Sequence, residues 1–173
     1  MKWYVYAEDD TSYTMILDHN TTSNVAYNSD NDNGVKKEVQ TELDNLVNLT
    51  KWQVTPRLIT GQETADITEN KSWISSGDWF FFDSNTQTQI ATSTGASKYY
   101  WLLDYTYSCT DYGCKVVDSN SNNYGYWTDT SYDGDSTRVW RVHYSGGLGR
   151  ATANDTSFGV RPVITVSKSY FNA

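Results

Sequence analysis

The residues best equipped for chemistry are few. Cys109 and Cys114 lie in SCTDYGCKV, and His19 and His143 are the only histidines. Two thiols with no histidine nearby fall short of the four ligands of a structural zinc. A short gap containing Gly113 can close a small disulfide loop, which would imply an oxidising compartment; two reduced thiols or a redox pair are the alternatives. A reactive thiol needs an electropositive setting, and Asp111 supplies the opposite sign. No G-x-S-x-G elbow, H-E-x-x-H pair or phosphate loop is present. His19, in LDHNTT, follows a strand-like run and reads as a turn residue. Carboxylates are plentiful, but acid–base catalysis needs a pair in a cleft with shifted pKa values, which a sequence does not show. The chain therefore reads as a non-enzyme.

Binding chemistry has more material. In RVWRVHYS (138–145) a strand would put Trp140, Val142 and Tyr144 on one face and Arg141, His143 and Ser145 on the other. The apolar set suits a core, so Arg141 and His143 are expected to project outward. Beside them lies the loop DTSYDGDSTR, offering Asp129, Tyr132, Asp133, Asp135 and Arg138. A second loop, SGGLGRATANDT, adds Arg150, Asn154 and Asp155. Tyrosine and arginine among short polar residues make an adaptable contact surface. Hard cations want several oxygens in one loop, and DTSYDGD has only part of an EF-hand spacing, with no acid at the twelfth position. NSDNDNG (28–34) matches no better. The reading is no cofactor, with bound calcium as the alternative. The N-x-[ST] triplets at Asn20, Asn48 and Asn154 carry no weight in so Asn- and Thr-rich a chain.

These residues need elements to position them. WYVYAEDDTSYTMILDHN reads as strand, turn, strand, with Glu8, Asp9, Asp10 and Ser12 near the turn. After the polar loop YNSDNDNG, Val35, Val39, Leu43, Leu46 and Val47 repeat at helical spacing, with Asn33 as N-cap. Thr60 and Glu63 form a capping-box pattern that opens a second helix through about Thr68. From Trp73 onward no helical period lasts. Short strand-like segments follow: WFFFD, YYWLLDY, CKVVDS, YGYWTDT, RVWRVHYS and GVRPVITVS. The predicted class is α+β, with two helices beside an antiparallel sheet, a loop-rich C-terminal half and the termini brought together by pairing of the first and last strands.

The totals agree. A chain of 173 residues suits one domain, 1–173, with a real core. Hydrophobic residues make up 38%, carried by seven Trp and fourteen Tyr, and mean hydropathy is -0.65, which implies a very polar surface. A net charge of -8 argues against nucleic acid, whose phosphates need clustered Lys and Arg. No apolar run approaches the roughly 20 residues of a membrane span. The start, MKWYVYAEDD, enters a strand pattern directly, without the apolar stretch of a signal peptide. Either the protein is cytosolic or it is one module of a longer exported chain, at the cell or virion surface; the second is the expectation.

YWTDTS (126–131), VWRVHYSGG (139–147) and FGVRPVITVSKS (158–169), in that order, resemble the end of a bacterial or phage C-type-lectin-like domain. The similarity is to the formylglycine-generating-enzyme-like and diversity-generating variable-protein branches. The order hairpin, helix, helix, loops, strands extends it over nearly the whole chain. The resemblance implies that GVRPV is a central strand, with Gly159 permitting a close backbone approach. Arg161 would bury its stem and satisfy carbonyls or a carboxylate, and Pro162 would sit where the ladder needs no N–H. It also implies a ligand surface just before the closing motif, at about 128–154. The Glu-Pro-Asn or Gln-Pro-Asp signature of carbohydrate-binding lectins is missing, since Pro56 and Pro162 are the only prolines. The cysteines come too early in the chain for the oxidase pair of formylglycine-generating enzymes. The implied function is receptor- or adhesin-type binding of a cell-surface protein or glycan; the alternative is a structural spacer or assembly module.

Overall fold

A computed structural model describes residues 2–18, 20–21, 24–47, 53–68, 82–83, 88–89, 102, 125–143 and 147–171. The chain opens with the expected hairpin, β1 (Trp3–Glu8) and β2 (Ser12–Leu17), paired antiparallel. Asp9 makes the turn. Its carboxylate accepts the Thr11 and Ser12 amides at 2.7 and 2.8 Å and both hydroxyls at 2.9 and 2.7 Å. Such local carboxylate bonds offer the backbone a turn in place of a longer strand. The Ser12 hydroxyl, then the Thr11 groups, hold the Asp9 carboxyl far below the usual carboxylate range.

Helix α1 (Glu38–Val47) buries Val39, Leu43 and Leu46, so the apolar spacing was read correctly. Its start was not. Asn33 is no N-cap: the helix begins five residues later, and Val35 is 59% exposed rather than part of the buried stripe. A two-residue strand, β3 (Arg57–Leu58), precedes helix α2 (Gly61–Thr68). The capping box at α2 is present in full. The Glu63 amide donates to Thr60 Oγ1 at 3.0 Å, and the Thr60 amide donates to Glu63 Oε2 at 2.8 Å.

Within the segment expected to hold WFFFD, β4 (Phe82–Asp83) pairs with β5 (Thr88–Gln89). Further on come β6 (Gly125–Ser131), β7 (Arg138–His143), β8 (Gly147–Thr152) and β9 (Pro162–Ser167). YYWLLDY, except Leu102, and CKVVDS lie outside the described residues, as do His19, Cys109 and Cys114. The strands form a four-stranded sheet in the order β1-β2-β9-β3 and a three-stranded sheet β6-β7-β8, in addition to the small β4-β5 pair. Every pairing between the described strands is antiparallel, and the class is α+β.

The closing strand is central, but the chain ends are not adjacent. β9 pairs with β2, not β1, with Ser12 opposite Ser167 and Ile16 opposite Val163. β1 and β9 are both antiparallel to β2 and therefore run parallel to each other. Trp3 and Ser167 lie at opposite ends of the sheet, roughly 17 Å apart along the strands. The expectation of termini close together is corrected on this point.

The three-stranded sheet is buried on both faces. Tyr126, Trp140, Val142 and Leu148 pack against Tyr6, Ile16 and Val163 of the larger sheet and Ala65 of α2. On the other face, Trp127, Val139 and Ala151 pack against Val39 and Leu43 of α1, with Tyr27, Phe158 and Val160. Leu58 belongs to the second cluster and its neighbour Ile59 to the first, so β3 sits at their seam. Each fully buried side chain of this size contributes about 1.5–3 kcal/mol. Among the described residues no helix is long and apolar enough to cross a membrane.

Candidate functional site

The GVRPV segment is built into the interior. Arg161 is 4% exposed; its Nε donates to the Leu17 carbonyl at 2.9 Å and its Nη2 to the Asp18 carbonyl at 2.8 Å, and the guanidinium lies over the Tyr126 ring. Of the two expected partners, it takes carbonyls. Pro162 opens β9, opposite Leu58, where a strand tolerates a missing N–H. Gly159 bridges both Asn24 and Tyr126, and its amide donates to the Gly125 carbonyl at 3.1 Å. A Cβ at 159 would come within 2.7 Å of Asn20 Cγ, so the close approach is real. It is to a side chain as well as to backbone: Asn20 Nδ2 donates to the same Gly125 carbonyl at 2.9 Å. Gly125 holds this position at φ 102°, a conformation that strains other residues.

The 128–154 window is mostly sheet. SGGLGRATANDT, read as a loop, supplies β8, which pairs with β7 from Arg138 opposite Thr152 to His143 opposite Gly147. Among the described residues of this window, the turn at 132–137 and the bend after Thr152 are irregular. A bulge in β6 between Trp127 and Ser131 lets the Asp129 amide donate to the Ile59 carbonyl and Thr130 Oγ1 accept the Gly61 amide, which docks α2.

The surface that emerges joins three segments distant in sequence: 28–37, 132–137 and 152–157. Asn33 is its centre. The side chain is 9% exposed, and Nδ2 faces the carbonyls of Tyr132, Asp135 and Arg138 at 3.1, 2.9 and 2.8 Å. The Asn33 backbone adds a bond to the Ser136 carbonyl, and its own carbonyl accepts Ser131 Oγ. Asn28, 4% exposed, donates from Nδ2 to the Val35 carbonyl at 3.0 Å and from its backbone to the Ala153 carbonyl at 2.9 Å. The Asn154 amide reaches Asn31 Oδ1 at 3.4 Å, and Asn31 has a left-handed φ of 58°. Neither Asn28 nor Asn33 was singled out as a site residue. The signal was the density of asparagine in YNSDNDNG, because an amide side chain can satisfy several carbonyls in irregular backbone.

The candidate side chains divide accordingly. Asp129 is half-buried, and Lys36 Nζ holds both its oxygens at 2.8 and 2.7 Å. Tyr132 stands edge-on to Trp140 at 5.9 Å, with the Arg150 guanidinium 4.6 Å from its ring centre. Asp135 accepts the Thr137 hydroxyl and amide at 2.6 and 2.9 Å and lies 3.2 Å from Arg138 Nε. The Thr137 hydroxyl, followed by its amide, lowers the Asp135 carboxyl below its usual range. Arg141 does not project outward. It shares its strand face with Trp127 and Val139, the face covered by α1 and Phe158, and its guanidinium lies 4.5 Å from the Phe158 ring centre, worth about 0.5–2 kcal/mol. The alternation was right, but the polar face of β7 is covered too. The backbone of His143 is in β7, and its side chain lies outside the described residues. Asp133 and Asn154 are exposed. Among the described residues no group of three or more His, Cys, Asp or Glu could hold a metal ion. Comparison with known protein families, with curated proteins and with solved structures finds no match to this chain.

Proposed function

We propose that the chain is a non-catalytic binding domain of C-type-lectin-like architecture, part of a longer exported protein. It would meet a cell-surface protein or glycan through the composite surface of 28–37, 132–137 and 152–157. One observation carries this reading: the buried Asn33 side chain ties loop 28–37 to the 132–137 turn, and the backbone of buried Asn28 ties it to Ala153, while Asp32, Asp133, Ser136, Asn154 and Thr156 remain exposed. A surface fixed before contact loses little conformational entropy on binding. The antiparallel hairpin, two helices and central closing strand support the architecture.

The test is a screen of the folded domain against glycan and surface-protein arrays, beside the double variant Asp133→Ala/Asn154→Ala. Both side chains are exposed, so the variant keeps its fold. Hits that weaken tenfold or more, about 1.4 kcal/mol, place the face. Hits that ignore the variant remove it from this surface. A blank from folded protein favours a second reading, a spacer or assembly module. That reading has its own support, since Asp129, Asp135, Arg141 and Arg150 all engage internal partners.

A further inference from the structure

The residue that ties the 28–37 loop to the 132–137 turn is also the one best placed in sequence to change covalently. Asn33 is followed by Gly34, the pairing in which a backbone amide most readily reaches the preceding side-chain carbonyl carbon, because glycine has no Cβ to hinder the approach. We propose that Asn33–Gly34 is a spontaneous deamidation site whose conversion irreversibly releases the 132–137 turn. In this step the Gly34 nitrogen loses its proton and forms a bond to Asn33 Cγ. The Cγ–Nδ2 bond breaks, and ammonia leaves with the proton. Water then opens the five-membered imide at either carbonyl, leaving an aspartate or an isoaspartate at position 33. No co-reactant other than water is needed.

The consequence follows from what Nδ2 does. Among the described residues it is the side-chain donor in contact with the Tyr132, Asp135 and Arg138 carbonyls. Conversion replaces it with an oxygen that accepts only, in an anionic group set against three acceptors. Isoaspartate also lengthens the backbone by one carbon, disturbing the Asn33–Ser136 and Ser131–Asn33 bonds. The native fold slows the reaction in two ways. Bonds to three carbonyls fix the Asn33 amide, and the Gly34 N–H that must be lost is bound to Asp32 Oδ1 at 2.8 Å. Conversion therefore proceeds through local opening of the 28–37 loop, which makes position 33 a record of how often the face comes apart.

The experiment incubates folded protein and urea-unfolded protein at mildly alkaline pH and maps peptides over time, with hydrogen exchange on the folded sample. The expected result is conversion at Asn33 in both, slower in the folded protein by about tenfold or more, as local opening requires. Exchange at 132–138 should rise in step with conversion. Gly34→Ala keeps the Asn33 side chain and suppresses imide formation. A Cβ there meets only the Asp32 carboxylate at 3.2 Å, and Gly34 is not in a left-handed conformation, so the variant folds. It should show neither conversion nor the rise in exchange. Asn33→Asp, if it folds, should show the exchange pattern of aged protein from the outset. Folded protein that stays unconverted while the unfolded chain converts overturns the proposal. So does conversion that leaves exchange at 132–138 unchanged.

Discussion

Asn20, Gly125 and Gly159 meet at a point where the closing segment passes β6, and one carbonyl serves both neighbours. The Gly125 oxygen accepts the Gly159 amide and Asn20 Nδ2 together. Gly159→Ala would drive a methyl into the Asn20 side chain and cost about 1–3 kcal/mol, the usual penalty for overpacking. In an Asn20→Ala background the same change should cost clearly less, because the obstructing amide is gone. Urea denaturation of the four-member cycle gives the coupling. Equal costs in both backgrounds would mean that backbone contact alone requires the glycine. Gly159 and Arg161 were legible in the sequence because Gly-x-Arg-Pro at the mouth of an apolar run admits few structural readings. Asn33 was misread because the same amide that caps a helix can bind carbonyls anywhere, and the residues it binds lie about a hundred positions away. Arg141 was misplaced for a different reason. Alternation sorts inside from outside only when one sheet face meets water.

Helix α2 is held at its first turn by a set of charges that also reaches the N-terminal hairpin. Arg57 contacts Glu63 through both guanidinium nitrogens, at 2.8 and 2.6 Å, and the Tyr6 hydroxyl lies 3.4 Å from Glu63 Oε1 and from Arg57 Nη2. Burial pushes the Tyr6 hydroxyl well above its ordinary pKa, with the Glu63 charge adding to it. For Glu63, burial pushes the pKa up, but the Arg57 bonds and the Thr60 amide outweigh it, leaving the carboxyl below its ordinary 4.5. A folded pKa below the unfolded one gives stability that is present above the unfolded value and is lost as pH falls through the folded one. Stability measured by urea midpoint should therefore drop below about pH 4.5, and Glu63→Gln should flatten that part of the profile. An unaltered slope in the variant would assign the acid loss to other carboxylates. Elements with local signals were legible: the hairpin from its alternation and turn residues, α2 from Thr60 and Glu63, β9 from its β-branched run. β8 was not, because Gly147 and Gly149 erase strand propensity and the segment owes its pairing to β7. β3, two residues long, carries no periodicity.

Among the described residues the buried side chains form three clusters, and the same three strands, β6, β7 and β8, form a wall of each of the two larger ones. Damage to one cluster should therefore be felt by the other. Val39→Ala, in the α1 cluster, and Ile16→Ala, in the cluster between the sheets, should each cost about 2–4 kcal/mol. Both should move one common transition, with tryptophan fluorescence and circular dichroism changing together. Separate transitions for the two variants would mean that the shared strands do not couple the clusters. The parallel course of β1 and β9 bears on how the molecule answers tension. A pull on Trp3 and Ser167 in opposite directions along the strands loads the β1-β2 and β2-β9 ladders lengthwise, so their hydrogen bonds share the force and must break together. Had the two strands run antiparallel, with their ends side by side, the same pull would have opened the bonds one after another from one end. The sheet is thus arranged to resist stretching between its first and last strands.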